Sequence, residues 1–126
     1  MNMVQLLEAL NASWSRETAY RTDQKDWSFE RKEVGQCTVT AMIVFDYFGG
    51  VIKRGTSKKY NLLHYWNEID QKKIDLTFNQ FIGIKDDITF SHIVAKTKED
   101  LLRINNVRGR YKILKKRVEM YLAAHF

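Results

Sequence analysis

The sequence predicts an α+β domain: a buried helix bearing a cysteine at its N-terminus, packed on an antiparallel sheet and flanked by N- and C-terminal helices. Three observations predict it. The apolar run Cys37 to Phe48 closes on Gly49-Gly50; short extended stretches separated by turn residues follow it; and apolar residues recur at helical spacing at both ends of the chain. The 126 residues suit one domain, residues 1–126, because nothing in them is long enough to seed a second core.

Met3, Val4, Leu6, Leu7 and Leu10 give a first amphipathic helix. Ser13 to Val34 is polar and charged but carries Trp14, Tyr20, Trp27 and Phe29, so it reads as an ordered segment pinned by aromatics that wraps the core. Cys37 to Phe48 reads as a buried helix, since a glycine just after it adopts positive φ without penalty and stops the turn. The β-branched Thr38-Val39-Thr40 favours a strand by propensity, which keeps that reading open. Val51 to Arg54, Asn61 to Ile69 and Lys73 to Phe78 read as three antiparallel strands, joined by a turn-rich Gly55 to Lys59 and the polar Asp70 to Lys72. Ile88 to Ala95 is a fourth. Lys98 to Leu102 starts a helical pattern that resumes at Tyr111, Ile113, Leu114, Val118, Tyr121 and Leu122. No repeat or low-complexity tract divides the chain.

A 44% hydrophobic and 13% aromatic composition excludes a disordered chain. No apolar run approaches the roughly 18 residues of a membrane span, and Met1 to Asn11 lacks a basic start and cleavage site, so a cytoplasmic protein is expected. The single cysteine fits a reducing compartment and a free thiol. The net charge of +6 gathers near the end, in Arg108, Arg110, Lys112, Lys115, Lys116 and Arg117, where a solvated helix face accounts for it and nucleic acid is not the expected partner. There is no glycine-rich phosphate loop, H-E-x-x-H, C-x-x-C or dinucleotide fingerprint, so neither cofactor nor metal is expected. Asp86-Asp87 reads as a turn, His92 as a half-buried strand histidine and His125 as a tail residue.

Nucleophilic chemistry needs a thiol of lowered pKa, and Cys37 has two means to it: the positive end of its helix, entered through Gly35-Gln36, and an imidazole from another element. His64 and Asp75 suit the base and its orienter. A two-residue turn at Asp70-Gln71 pairs positions that sum to 141, which sets His64 opposite Thr77 and Asp75 opposite Trp66, diagonal neighbours on one face. A three-residue turn would put them on opposite faces. For a developing oxyanion the backbone N–H of Cys37 and the Gln36 amide are the candidate donors, with helix capping as the other reading of Gln36. Asn67 is an alternative orienter, and Trp66, on the face of His64, is a wall of the site or part of the core.

Gly35-Gln36-Cys37 followed by Thr38-Val39-Thr40-Ala41 resembles the Gly-Gln-Cys motif that opens the core helix of transglutaminases, and the cysteine, histidine, aspartate order matches. The wider set Trp14, Thr18, Trp27, Gly35-Gln36-Cys37, Gly49-Gly50, His64-Tyr65-Trp66-Asn67, Asp75-Leu76-Thr77 and Gln80-Phe81 resembles the YunG family of small bacterial proteins, which brings no established reaction. The resemblance to transglutaminase and papain-like proteins is more distant and implies a Cys37-His64-Asp75 triad. Thr38 stands where larger transglutaminases have tryptophan, and the Cys37 to Asp75 segment is far more compact, which implies a small or altered cleft. The expected activity is hydrolysis of, or acyl transfer from, a peptide, amide or ester. The alternative is a non-catalytic binding domain whose basic terminal helix, through Lys115, Lys116 and Arg117, meets an acidic partner.

Overall fold

A computed structural model describes all residues from 1 to 126. The first helix, α1 (Met3–Ser13), starts at a capping box in which Asn2 and Gln5 satisfy each other's backbone amides, 2.8 and 2.9 Å apart. Two 3₁₀ turns, Arg16–Thr18 and Arg21–Asp26, carry the chain to α2 (Cys37–Phe48). Four strands follow: β1 (Val51–Ser57), β2 (Leu62–Ile69), β3 (Lys72–Ile74) and, after a 3₁₀ turn at Phe78–Phe81, β4 (Ser91–Lys96). They form one antiparallel sheet in the order β3-β2-β1-β4. The chain closes with a short α3 (Lys98–Leu102) and a long α4 (Val107–His125). The class is α+β, with helices grouped on one side of an antiparallel sheet.

The core lies between α1, α2 and α4 and extends to the sheet through Ile52 and Tyr65. Leu6, Leu10, Val39, Met42, Ile43, Val44, Leu114 and Val118 are fully buried there. On α2 the buried positions run unbroken from Val39 to Val44, because the helix has neighbours on every side; the strand propensity of its threonines yields to this packing. Its C-cap is Gly49, at φ 70.

The structure departs from the sequence expectations at several points. Strand β1 runs through Gly55 to Ser57, where a turn was expected. Gly55 passes so close to two aromatic side chains that a Cβ there would lie 2.7 Å from the Trp66 ring and 2.8 Å from the Phe90 Cβ. The turn comes later, at Lys58–Asn61. Strand β3 stops at Ile74 instead of Phe78, because Asp75 turns its carboxylate onto its own chain, accepting from the Thr77 amide at 3.4 Å, and onto β2. β4 begins at Ser91, and α4 begins at Val107, four residues before Tyr111. Of the four aromatics of the wrapping segment only Trp14 and Trp27 are buried; Tyr20 is half exposed and Phe29 lies in solvent. His92 is exposed, with φ 51. Asp87 accepts from Lys59 and Tyr60 and closes a loop. No helix is long and apolar enough to cross a membrane.

Candidate functional site

Cys37 is the first residue of α2, so its amide belongs to the first-turn N–H groups that no helix carbonyl satisfies. The entry to the helix needs Gly35. At φ +72 it occupies the left-handed region, and a Cβ would sit 2.8 Å from the Tyr20 amide, which donates to the Gly35 carbonyl at 2.8 Å. Gln36 is wholly buried. Its Nε2 donates to the Ser15 carbonyl at 2.9 Å, and its Oε1 lies 2.9 Å from the Thr18 hydroxyl. The side chain does not cap α2. It is anchored to the wrapping segment, and one of its two N–H hydrogens remains for another partner.

His64 lies on β2 opposite Gly55 and is completely buried. Its Nε2 is 2.7 Å from Asp75 Oδ2, which leaves Nδ1 for other partners. The expected register holds: Asn67 pairs with Ile74, Glu68 with Lys73 and Ile69 with Lys72, around Asp70 and Gln71 at φ 51 and 65. The ladder ends one residue before Asp75, and the carboxylate then reaches across to the ring. Phe81 meets the imidazole edge-on at 4.8 Å and Phe90 stacks on it at 5.2 Å, which fixes the ring plane.

The two titratable groups are shifted in opposite directions. Burial pushes the Cys37 thiol up, but hydrogen bonding with His64 and the charge of the imidazole, helped by a backbone hydrogen bond from Tyr65, outweigh it and leave the thiol below its ordinary value. Burial pushes His64 down, but hydrogen bonds with Asp75 and Cys37 overcome that and raise it to about 9. Each partner favours the charged form of the other, the condition for a thiolate–imidazolium pair.

Cys37 opens onto a cavity of about 810 Å³ between the wrapping segment, the N-terminus of α2, the sheet and the start of α4. That volume lies within the usual range for small-molecule sites, so the compact Cys37 to Asp75 segment leaves an ample cavity. The cavity is walled by apolar groups such as Leu62, Phe81, Ile84 and Val107.

The remaining predicted residues lie elsewhere. Asn67 donates from Nδ2 to the Ala41 carbonyl at 2.9 Å, pinning β2 to α2, and does not orient His64. Trp66 shares the face of His64, ring centroids 5.8 Å apart, but is buried behind it with Lys73 over its ring and does not line the cavity. Sequence reasoning missed two residues. Gln80 lines the cavity and brings its Nε2 to 3.4 Å from His64 Nδ1, while donating to the Thr77 hydroxyl at 3.2 Å. Arg110, assigned to a solvated face, is buried and lines the cavity. Its signal was its spacing, three residues after Val107 and four before Leu114, on the apolar stripe of α4. Two of the basic residues expected to meet an acidic partner are already engaged: Lys115 with Asp46 at 2.8 Å, and Arg117 with Ser15 and Glu17.

The chain matches the family model described as "YunG protein" over residues 2–123. It is 32% identical, over 96 residues, to the Bacillus subtilis (strain 168) protein described as "Uncharacterized protein YunG", a match covering 76% of this chain and 75% of that protein. No solved structure matches it.

Proposed function

The chain belongs to the YunG family, and we propose that it is a cysteine-triad hydrolase or acyltransferase acting on an amide or ester through the Cys37 thiolate. The observation that carries the reading is the buried His64–Asp75 pair, 2.7 Å apart, together with the Cys37 thiol that His64 draws below its ordinary value and that opens onto the cavity. A helix bearing the nucleophile at its N-terminus against an antiparallel sheet that supplies the histidine supports a distant likeness to transglutaminase and papain-like proteins.

The thiolate attacks the substrate carbonyl carbon, forming an S–C bond while the carbonyl electron pair moves onto oxygen. The Cys37 amide, at the positive end of α2, faces the developing oxyanion, and the free N–H of Gln36 is the second donor. As the tetrahedral intermediate collapses, His64 gives the proton on Nδ1 to the leaving nitrogen or oxygen. Asp75 holds the opposite nitrogen throughout, so the ring keeps its orientation while its charge changes. Water or an amine then loses a proton to His64 and attacks the thioester, releasing the product and restoring the thiolate.

The test is to trap the thioester. Incubation with p-nitrophenyl acetate is expected to add one acetyl group to the intact mass, mapped to Cys37, with a burst of nitrophenolate. Cys37→Ala gives neither. A wild-type protein that folds yet gains no mass contradicts the proposal.

A further inference from the structure

Besides Cys37, the cavity is lined by Arg54 from β1 and Arg110 from α4. Neither forms an ion pair with a carboxylate. Arg110 is 6% exposed, and its hydrogen bonds go to neutral groups, the Asn106 carbonyl from Nε and the Thr18 carbonyl from Nη1, both at 3.2 Å. Arg54 has a buried Nε with no hydrogen-bond partner, the one such side-chain atom in the molecule. A buried guanidinium is normally paired, because its desolvation is otherwise uncompensated. Here the buried Arg110 and the half-buried Arg54, from different elements, line the space in front of Cys37 and are held by carbonyls or left short of a partner.

We propose that the acyl substrate of Cys37 carries a carboxylate, held in this cavity by Arg54 and Arg110. The proposal rests on the reading of Cys37 as the nucleophile. A carboxylate accepts two parallel N–H bonds from a guanidinium, and apolar walls strengthen the contact by excluding water. The charge count favours a monoanion over a phosphate: Arg31, Arg54 and Arg110 line the cavity against Asp23 and Asp26, leaving one net positive charge. Arg31 is exposed and tied to the Gln80 carbonyl at 3.2 Å, so the buried Arg110 and the half-buried Arg54 are the recognition groups. The apolar side of the cavity then receives the uncharged body of the substrate.

Charged and neutral alkylating reagents of one shape test this. Rates of Cys37 alkylation are measured with iodoacetate against iodoacetamide, and with N-iodoacetylglycine against its amide, which set the carboxylate at two distances from the reacting carbon. Each ratio is compared with that of free cysteine. Because both members of a pair react with one thiolate, the ratio cancels changes in thiol pKa, and the imidazolium of His64 contributes alike to every variant that retains it. The wild type is expected to prefer the carboxylate by about tenfold over free cysteine for at least one pair. That preference falls toward the free-cysteine value in Arg54→Gln, which removes no backbone hydrogen bond, and in Arg110→Gln, and survives in Arg54→Lys. A wild-type ratio no higher than that of free cysteine for both pairs, or a preference that survives both glutamine variants, overturns the proposal while leaving Cys37 a nucleophile. A thiol inert to the neutral reagents overturns the nucleophile, and the carboxylate site with it.

Discussion

The two ends of α2 each gather charged groups, and they treat them differently. At the C-terminal end, Asp46 accepts from Lys98 at 2.7 Å, from Lys115 at 2.8 Å and from the Tyr111 hydroxyl. Both lysines stay partly exposed and are cations beside the negative end of the helix, so the charge of Asp46 is answered locally. At the N-terminal end His64 and Gln36 are completely buried and Arg110 almost so, while the half-buried Arg54 has a buried Nε without a partner. Groups of this kind cost stability unless a further partner arrives. The first cluster fastens the helices together. The second combines an unpartnered guanidinium nitrogen with a thiol and an imidazole shifted in opposite directions, the features on which the proposed function rests.

Substitutions test this contrast. The largest stability effect is expected from Asp75→Asn, which keeps the shape and removes the carboxylate that raises His64. Loss of a buried charge-assisted hydrogen bond costs about 1.5–3 kcal/mol in chemical denaturation. The pH dependence has a definite sign. His64 rises from 6.5 to about 9 on folding, so its protonation stabilises the fold fully below pH about 6.5 and the contribution is lost as pH rises through about 9. The deficit of Asp75→Asn relative to wild type is therefore largest near pH 6 and narrows at high pH. A deficit that grows with pH contradicts the assignment.

Gly55→Ala probes the packing around the imidazole without touching a polar group. The new methyl meets Trp66 and Phe90, which pack on His64 and on each other, and overpacking of this kind costs about 1–3 kcal/mol, read as a lowered denaturation midpoint. Cys37 alkylation should slow as well, because the ring that serves the sulfur is displaced.

Asp46→Ala is expected to be the mildest, at about 1 kcal/mol, since its partner lysines stay partly exposed to water. Burial pushes the Asp46 carboxyl up, but Lys115, Lys98 and Tyr111 outweigh it and lower its pKa, so its contribution is present above pH about 3.8 and lost as pH falls through the depressed value. Cys37 reactivity should be unchanged. A reactivity loss equal to that of Asp75→Asn would mean that the two ends of α2 are not independent.

Much of this was legible in the sequence where one local rule decides. The Asp70-Gln71 turn fixed the pairing of β2 with β3, and with it the approach of Asp75 to His64. Gly49 ended α2 as expected. What could not be read depends on partners distant in the chain. Gly55 looks like a turn residue until Trp66 and Phe90 are seen to press on it. Gln36 looks like a cap until Ser15 and Thr18 are seen to hold its amide. Arg110 was hidden by company, because the other basic residues of α4 face solvent or pair at the surface, while its own register turns it inward. Gln80 lies on a 3₁₀ turn that exists because Asp75 leaves the strand, an event set by a side chain on another strand.

The central claim is that His64 makes Cys37 a poised nucleophile, and the direct test is the pH dependence of Cys37 alkylation by iodoacetamide in wild type and His64→Ala. The account predicts a wild-type thiol pKa well below the free-cysteine value of about 8.5, rising toward or above it when the imidazole is removed. A wild-type pKa at or above that value, or one that His64→Ala leaves unmoved, contradicts it and makes Cys37 a packing residue at the start of a helix.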